Sequence, residues 1–210
     1  MILPRPVVAM QDFVQQDGCM WCGETIFGND ACPCASRRLH CNRVFRLGAY
    51  QEPLSSSIIQ GKYAAWHEML ALLGNLLGER IKGCVPPGSV IVPIPMPLGR
   101  KLFRRIDHSL LIAVHASVSS GLPIKKMLWR KNYTPQATKT ASGRKSLAQS
   151  TMRLRPFARM KGKHIILVDD VLTTGKTLEV ASNNLRMAGV SSVQVAVLAV
   201  TELPQKGKKM

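Results

Sequence analysis

Apolar residues fall along this chain in two patterns, short unbroken runs and helical spacings, and their order predicts alternating strands and helices. Ile165, Ile166, Leu167 and Val168 form a continuous apolar run, the pattern of a strand covered on both faces in a parallel sheet. Asp169 and Asp170 are expected to end that strand. Leu178, Ala181, Leu185 and Ala188 then recur at helical spacing over Thr177 to Ala188, with Gly189 as the stop. Ser192 to Val200 is a second buried strand. Strand, helix and strand in this order predict a right-handed parallel βαβ unit.

Upstream, from about Ile58, the residues Ile59, Tyr63, Trp66, Leu70, Leu73, Leu77 and Ile81 keep a helical period, which predicts one packed helix with Trp66 and Met69 in the core and His67 at the surface. Pro86-Pro87-Gly88 breaks it. Ser89 to Val92 is a short strand running into Pro93-Ile94-Pro95-Met96-Pro97, where alternating prolines hold a stiff, extended loop. Leu98 to about Ser119 reads as a helix with Leu102, Ile106, Leu110 and Val114 on one face. Lys125 to Met152 has little periodicity, and inside a compact domain such a segment reads as a functional loop.

With 210 residues, 46% of them hydrophobic, the chain can bury one good-sized core and a small appendage. The expected division is a cysteine-rich module over 1–48, an α/β domain over 49–203 and a basic tail over 204–210. No apolar run approaches the roughly 18–20 residues of a membrane span, and MILPRPVVAM lacks the charged and apolar regions of a secretory signal. A cytoplasmic protein without membrane insertion is therefore expected.

Charge changes the picture more than length does. Lys and Arg number 29 against 12 Asp and Glu, a formal charge of +17, and between Arg100 and Lys163 sixteen basic residues face the single acid Asp107. One phosphorylated metabolite needs only a few cations, whereas a polyanion can use many, so nucleic acid is the natural partner. Arg100, Lys101, Arg104 and Arg105 crowd the start of the helix predicted at 98–119. Lys125, Lys126, Arg130 and Lys131 interleave with Trp129 and Tyr133, aromatics able to stack on the bases of single-stranded DNA. A solvated basic face is the plainer reading of the same residues.

Five of the six cysteines lie within 23 positions, Cys19 to Cys41. In a cytosolic chain, thiolate pairs on short turns suggest tetrahedral Zn²⁺ more than disulfides. Cys19 and Cys22 have the usual two-residue spacing. Cys32 and Cys34 are closer, so Cys32, Cys34 and Cys41 compete for the remaining positions, with His40 a further candidate; the expected set is Cys19, Cys22, Cys32 and Cys34, with Cys41 as the alternative. Cys84 is expected to be a small buried hydrophobe.

The densest chemistry follows Val168. A strand that stops on two carboxylates places them at the carboxyl edge of the sheet, where open α/β folds bind ligands. Thr173, Thr174, Gly175, Lys176 and Thr177 add backbone N–H groups, hydroxyls and an ammonium at a helix N-terminus, an anion site.

The run DDVLTTGKT, Asp169 to Thr177, resembles the ribose-phosphate fingerprint of type I phosphoribosyltransferases, and its surroundings resemble the ComF/GntX group among them. The resemblance covers most of the chain: the cysteine knuckle, QGKYAAW, the strand ending in VPIPMP, the basic helix, a Gln-containing loop, GKHIILVDDVLTTGKTL and AGVSSVQVAVLAV. It implies an α/β fold of the type I phosphoribosyltransferase kind, a parallel sheet flanked by helices, with a small zinc-finger-like module. It also implies that phosphoribosyl diphosphate presents its 5′-phosphate to Thr173, Thr174, Gly175, Lys176 and Thr177, and its ribose hydroxyls to the catalytic pair Asp169 and Asp170. Pro93, Ile94, Pro95 and Met96 would face the pyrophosphate with Mg²⁺, under a mobile loop carrying Gln136 and Arg144. Like the ComF proteins, the chain would handle incoming single-stranded DNA in natural transformation, alongside other DNA-uptake proteins. Members usually carry an RGFNQ-type sequence where this chain has Arg104, Arg105, Ile106, Asp107 and His108, and Leu147 replaces an asparagine after Arg144. Two other readings share the residues: a metabolic phosphoribosyltransferase for a base or amine, which the charge concentration disfavours, and a non-catalytic DNA-binding adaptor that keeps the fold. The ligand loop suits turnover and sensing alike.

Overall fold

The computed structural model describes residues 18–23, 32, 39–62, 66–96, 106–130, 152–156 and 160–202. Four strands, β1 (Arg43–Ala49), β2 (Val90–Pro93), β5 (His164–Leu172) and β6 (Ser192–Val200), form a wholly parallel sheet in the order β1-β6-β5-β2. Helices α1 (Leu54–Gly61), α2 (His67–Ile81) and α3 (His108–Ser120) cover one face. Helix α4 (Lys176–Met187) covers the other, together with the antiparallel pair β3 (Leu128–Arg130) and β4 (Met152–Leu154). The βαβ unit expected around the acidic pair is β5-α4-β6.

Strand alternation divides the core in two. Ile165 and Leu167 of β5, with Val193, Val195 and Val197 of β6, pack towards Leu178, Ala181 and Leu185 of α4. The intervening Ile166, Val168, Ala196 and Leu198 pack towards Leu70, Leu73 and Leu77 of α2 and Ile112 of α3. Successive side chains point to opposite faces of a strand, so a run apolar at every position is what a twice-covered strand requires. Helices α2 and α3 approach closely because Gly74 and Gly78 lie between them. A Cβ on Gly74 would sit 2.8 Å from the Ile112 carbonyl oxygen, and one on Gly78 2.6 Å from that of Ala116.

Several expectations are corrected. Strand β5 does not stop at Val168 but continues through the acids, Asp169 pairing with Val197 and Leu172 with Val200, because the β6 ladder beside it runs on to the same level. The division expected at residue 48 falls inside β1, which is paired to β6 from Arg43↔Gln194 onward and belongs to the main sheet. The single helix expected from Ile58 is two helices; at the end of α1, Gly61 packs so tightly on Leu70 that a Cβ would come within 2.7 Å of its Cγ. Met69 is buried, but Trp66 is 43% exposed at the N-cap of α2. Helix α3 begins at His108, where the Asp107 carboxylate accepts from Leu110 N (3.2 Å), a standard N-cap bond. Its buried residues include Ile112, Ala113 and Ala116, while Val114 is exposed. Cys84 is exposed rather than buried.

Candidate functional site

The acidic pair sits on the last third of β5, where burial gives way: Ile165 to Val168 are buried and Asp169 to Val171 only half-buried. Asp169 Oδ1 accepts from Ser109 Oγ (2.7 Å) and from Asp170 N (3.0 Å). Asp170 Oδ1 accepts from Val171 N (2.7 Å), and its Oδ2 lies 2.8 Å from Lys62 Nζ. Burial in the first place, and the neighbouring carboxylate of Asp170 in the second, push Asp169 up to about 7 against the lowering effect of Ser109. Two acids side by side disfavour double ionisation, so Asp169 holds a proton more readily than an ordinary aspartate. Lys62 follows α1 and Ser109 lies in the first turn of α3, so two helices converge on the pair.

The other predicted segments of the site lie on either side of this strand. The Pro93–Met96 loop leaves β2 beside the acids: Pro93 pairs with Val168, and Ile94 N donates to Val168 O (2.9 Å), one residue before Asp169. After Leu172, Thr173 and Thr174 are exposed, Gly175 takes φ +77° as the N-cap of α4, and Lys176 and Thr177 begin the helix. Positive φ is the conformation glycine adopts without a Cβ clash. It lets the chain turn at once from strand to helix, presenting the unsatisfied N–H groups of α4 beside the carboxylates. The structure thus brings Asp169, Asp170, residues 173–177 and the Pro93–Met96 loop to one edge of the sheet.

Gln136, Arg144, Arg100, Lys101, Arg104, Arg105 and Lys131 lie outside the described residues. Lys125 and Lys126 are exposed just before β3, and Arg130 is half-buried on it. Trp129 Nε1 donates to Leu154 O (3.1 Å), fastening the indole across the β3–β4 pair.

The cysteine knuckle lies against the same sheet. Trp21 N donates to Cys19 Sγ (3.4 Å), Gly23 N to Cys19 O (2.8 Å), and Val44 N of β1 to Met20 O (2.7 Å). The sulfurs of Cys19, Cys22 and Cys32 lie within 4.8 Å of one another. Three convergent soft donors could hold a metal, and that donor set suits Zn²⁺. Cys34 lies outside the described residues. Cys41 and His40 are not part of this group: Cys41 is buried in the core, where burial pushes its thiol up to about 11, and His40 Nε2 instead faces Glu179 at 3.9 Å.

Lys62 and Ser109 were missed by sequence reasoning. QGKYAAW carries no signal beyond the family resemblance, and no spacing links residue 62 or 109 to residue 170 or 169; the contacts exist only after the helices dock.

The class of protein follows from this fold and from comparison with known families. Residues 96–209 match the phosphoribosyl transferase domain family, and the chain belongs to that family. With its parallel sheet flanked by helices, it has the type I phosphoribosyltransferase fold expected from the sequence. A curated relative, Competence protein F of Haemophilus influenzae (strain Rd), is 24% identical over 193 residues, covering 86% of this chain and 83% of that protein. This similarity supports the ComF-type resemblance. Similar solved structures include a hypoxanthine-guanine phosphoribosyltransferase from Bacillus anthracis (14% identical, 68% of this chain and 75% of that one, TM-score 0.45). Another is a purine phosphoribosyltransferase from Pyrococcus horikoshii (21% identical, 66% and 80%, TM-score 0.41). The chain spans only a quarter of the length of an allosteric regulatory enzyme of purine biosynthesis that it also matches (20% identical, 61% of this chain, TM-score 0.44). Among the described residues no helix is long and apolar enough to cross a membrane.

Proposed function

We propose that this protein binds phosphoribosyl diphosphate with Mg²⁺ at the carboxyl edge of β5 and single-stranded DNA through its basic segment, and that it acts in the cytoplasm in DNA uptake during natural transformation. The observation that carries the ligand reading is the convergence of two carboxylates, a helix N-terminus and a stiff proline loop at one sheet edge. The 5′-phosphate meets the N–H groups and hydroxyls of Thr173 to Thr177, the ribose hydroxyls meet Asp169 and Asp170, and the pyrophosphate faces the Pro93–Met96 loop. The carboxylates fit Mg²⁺, which takes hard oxygen donors and keeps phosphate oxygens and water as its other ligands; the bonds from Ser109 and Asp170 N engage only one of the Asp169 oxygens. The bound metal would offset charge on the leaving pyrophosphate. In turnover, the C1–O bond breaks with its electron pair leaving on pyrophosphate, the carboxylates stabilise the positive charge developing on the ribose ring, and an acceptor nucleophile bonds to C1 as its proton passes to solvent. Lys62 holds the Asp170 side chain in place through their 2.8 Å ion pair. The DNA reading rests on the surplus of basic residues between Arg100 and Lys163 and on similarity to a competence protein. Cys19, Cys22 and Cys32, with Cys34 completing the set, would hold Zn²⁺ and brace the knuckle against β1.

The ligand reading is tested by thermal unfolding. With Mg²⁺ and phosphoribosyl diphosphate at about a hundred times Kd, the melting temperature should rise by about 5 °C or more, and Asp170→Ala should abolish the rise. An unchanged melting curve for the unmodified protein contradicts the assignment.

A further inference from the structure

A cleft of about 480 Å³ opens between the Pro93–Met96 loop, the start of α3 and the β3–β4 pair, and neither the acidic pair nor residues 173–177 line it. Its size lies within the usual range for small-ligand sites. Its lining combines two chemistries. Ile94, Met96, Leu110 and Leu128 make it apolar, and the half-buried indole of Trp129 gives it an aromatic wall fixed by the bond to Leu154 O. Lys126, Arg130 and Arg155 make it cationic. Asp107 is the carboxylate among the described lining residues, and it is engaged in capping α3.

An aromatic face with apolar neighbours suits a nucleobase, and cations beside it suit the phosphate attached to that base. We infer that this cleft takes one unstacked nucleotide of a single-stranded DNA, the base against Trp129 and the backbone phosphates along Lys126, Arg130 and Arg155. This deepens the nucleic-acid half of the proposed function and rests on it. The occupant is a strand rather than a free mononucleotide because the charge exceeds what one phosphate needs: Lys126 and Arg155 are exposed, and they belong to a segment carrying sixteen basic residues against one acid. The Pro93–Met96 loop is a shared element. It lines the cleft and is bonded to β5 one residue before Asp169, so an ordered strand would lie beside the acidic edge and share this loop with the phosphoribosyl site.

The test compares a single-stranded oligothymidine with an abasic phosphodiester of equal length, bound to the full chain at low salt. The base-bearing strand should bind about tenfold more tightly, Trp129→Ala should erase the difference, and Trp129→Phe should keep most of it. Because Trp129→Ala can loosen the β3–β4 pair, photocrosslinking of an oligonucleotide containing 5-iododeoxyuridine to the unmodified protein gives a second readout, with the crosslink expected at Trp129. Equal affinity for both oligonucleotides, or crosslinks at the exposed Trp21 or Trp66 instead, overturns the cleft and leaves DNA binding standing. Failure of both oligonucleotides to bind overturns the DNA reading and the cleft with it. Displacement of the strand by an equal concentration of thymidine monophosphate would assign the cleft to a free nucleotide and overturn the strand.

Discussion

Strands β5 and β6 are neighbours of equal length, paired in parallel from His164↔Ser192 to Leu172↔Val200, but they end differently. From Val193 to Val200, β6 is buried at every position, whereas β5 is buried from Ile165 to Val168 and then carries two half-buried carboxylates beside Val197 and its neighbours. The same ladder therefore serves two purposes. Where both strands are apolar it contributes stability, each fully buried aliphatic side chain adding about 1.5–3 kcal/mol. Where β5 turns acidic it gives up that contribution and presents the carboxylates of the proposed ligand edge, held in place by β6. The acids lie beyond the end of the β2 pairing at Pro93↔Val168, where β5 is held by β6.

That contrast can be broken most severely in the apolar half. Ile166 is fully buried between β5 and the α2–α3 layer, so Ile166→Ala should cost about 3 kcal/mol, read from the urea midpoint at an unchanged slope. A loss well under 1 kcal/mol would place Ile166 outside the core. The acidic half should respond in the opposite direction. Asp169 has its folded pKa raised from 3.8 to about 7, so the folded state binds more protons than the unfolded chain between those values. The stabilisation from the protonated acid is fully present below about pH 4 and is lost as pH rises through about 7. Asn cannot ionise and keeps an acceptor for Ser109 Oγ. Asp169→Asn should therefore match the parent near pH 4 and exceed it by on the order of 1 kcal/mol above pH 7, measured by denaturation across pH. A gap that shrinks as pH rises would show that the pair is not strained towards protonation.

How far the sequence revealed this architecture depended on how local the physics was. The apolar run of β5, the spacing of α4 and the stop at Gly189 are decided by residues near each other in the chain, and all three appear where the pattern places them. The extension of β5 through Asp169 and Asp170 was not legible, because it depends on a ladder supplied by β6. The end of α1 packs on α2 through Gly61 against Leu70, a contact that helical periodicity does not encode. Val114, which helical spacing puts on the apolar face of its helix, and Cys84, which residue type puts in the core, are both exposed. In the site, the carboxylates, the threonine-glycine turn and the proline loop were visible as residue types in sequence. Lys62 and Ser109 were not, since an ion pair across 108 residues and a hydrogen bond across 60 arise from docking alone.

Calorimetric titration of phosphoribosyl diphosphate into the full chain tests the role of the acidic edge of β5 most directly. Saturable binding of one equivalent in the presence of Mg²⁺, much weaker after chelation of the metal and lost in Asp170→Asn, is the predicted result. No saturable heat with Mg²⁺ present, or equal binding by Asp170→Asn, would contradict it.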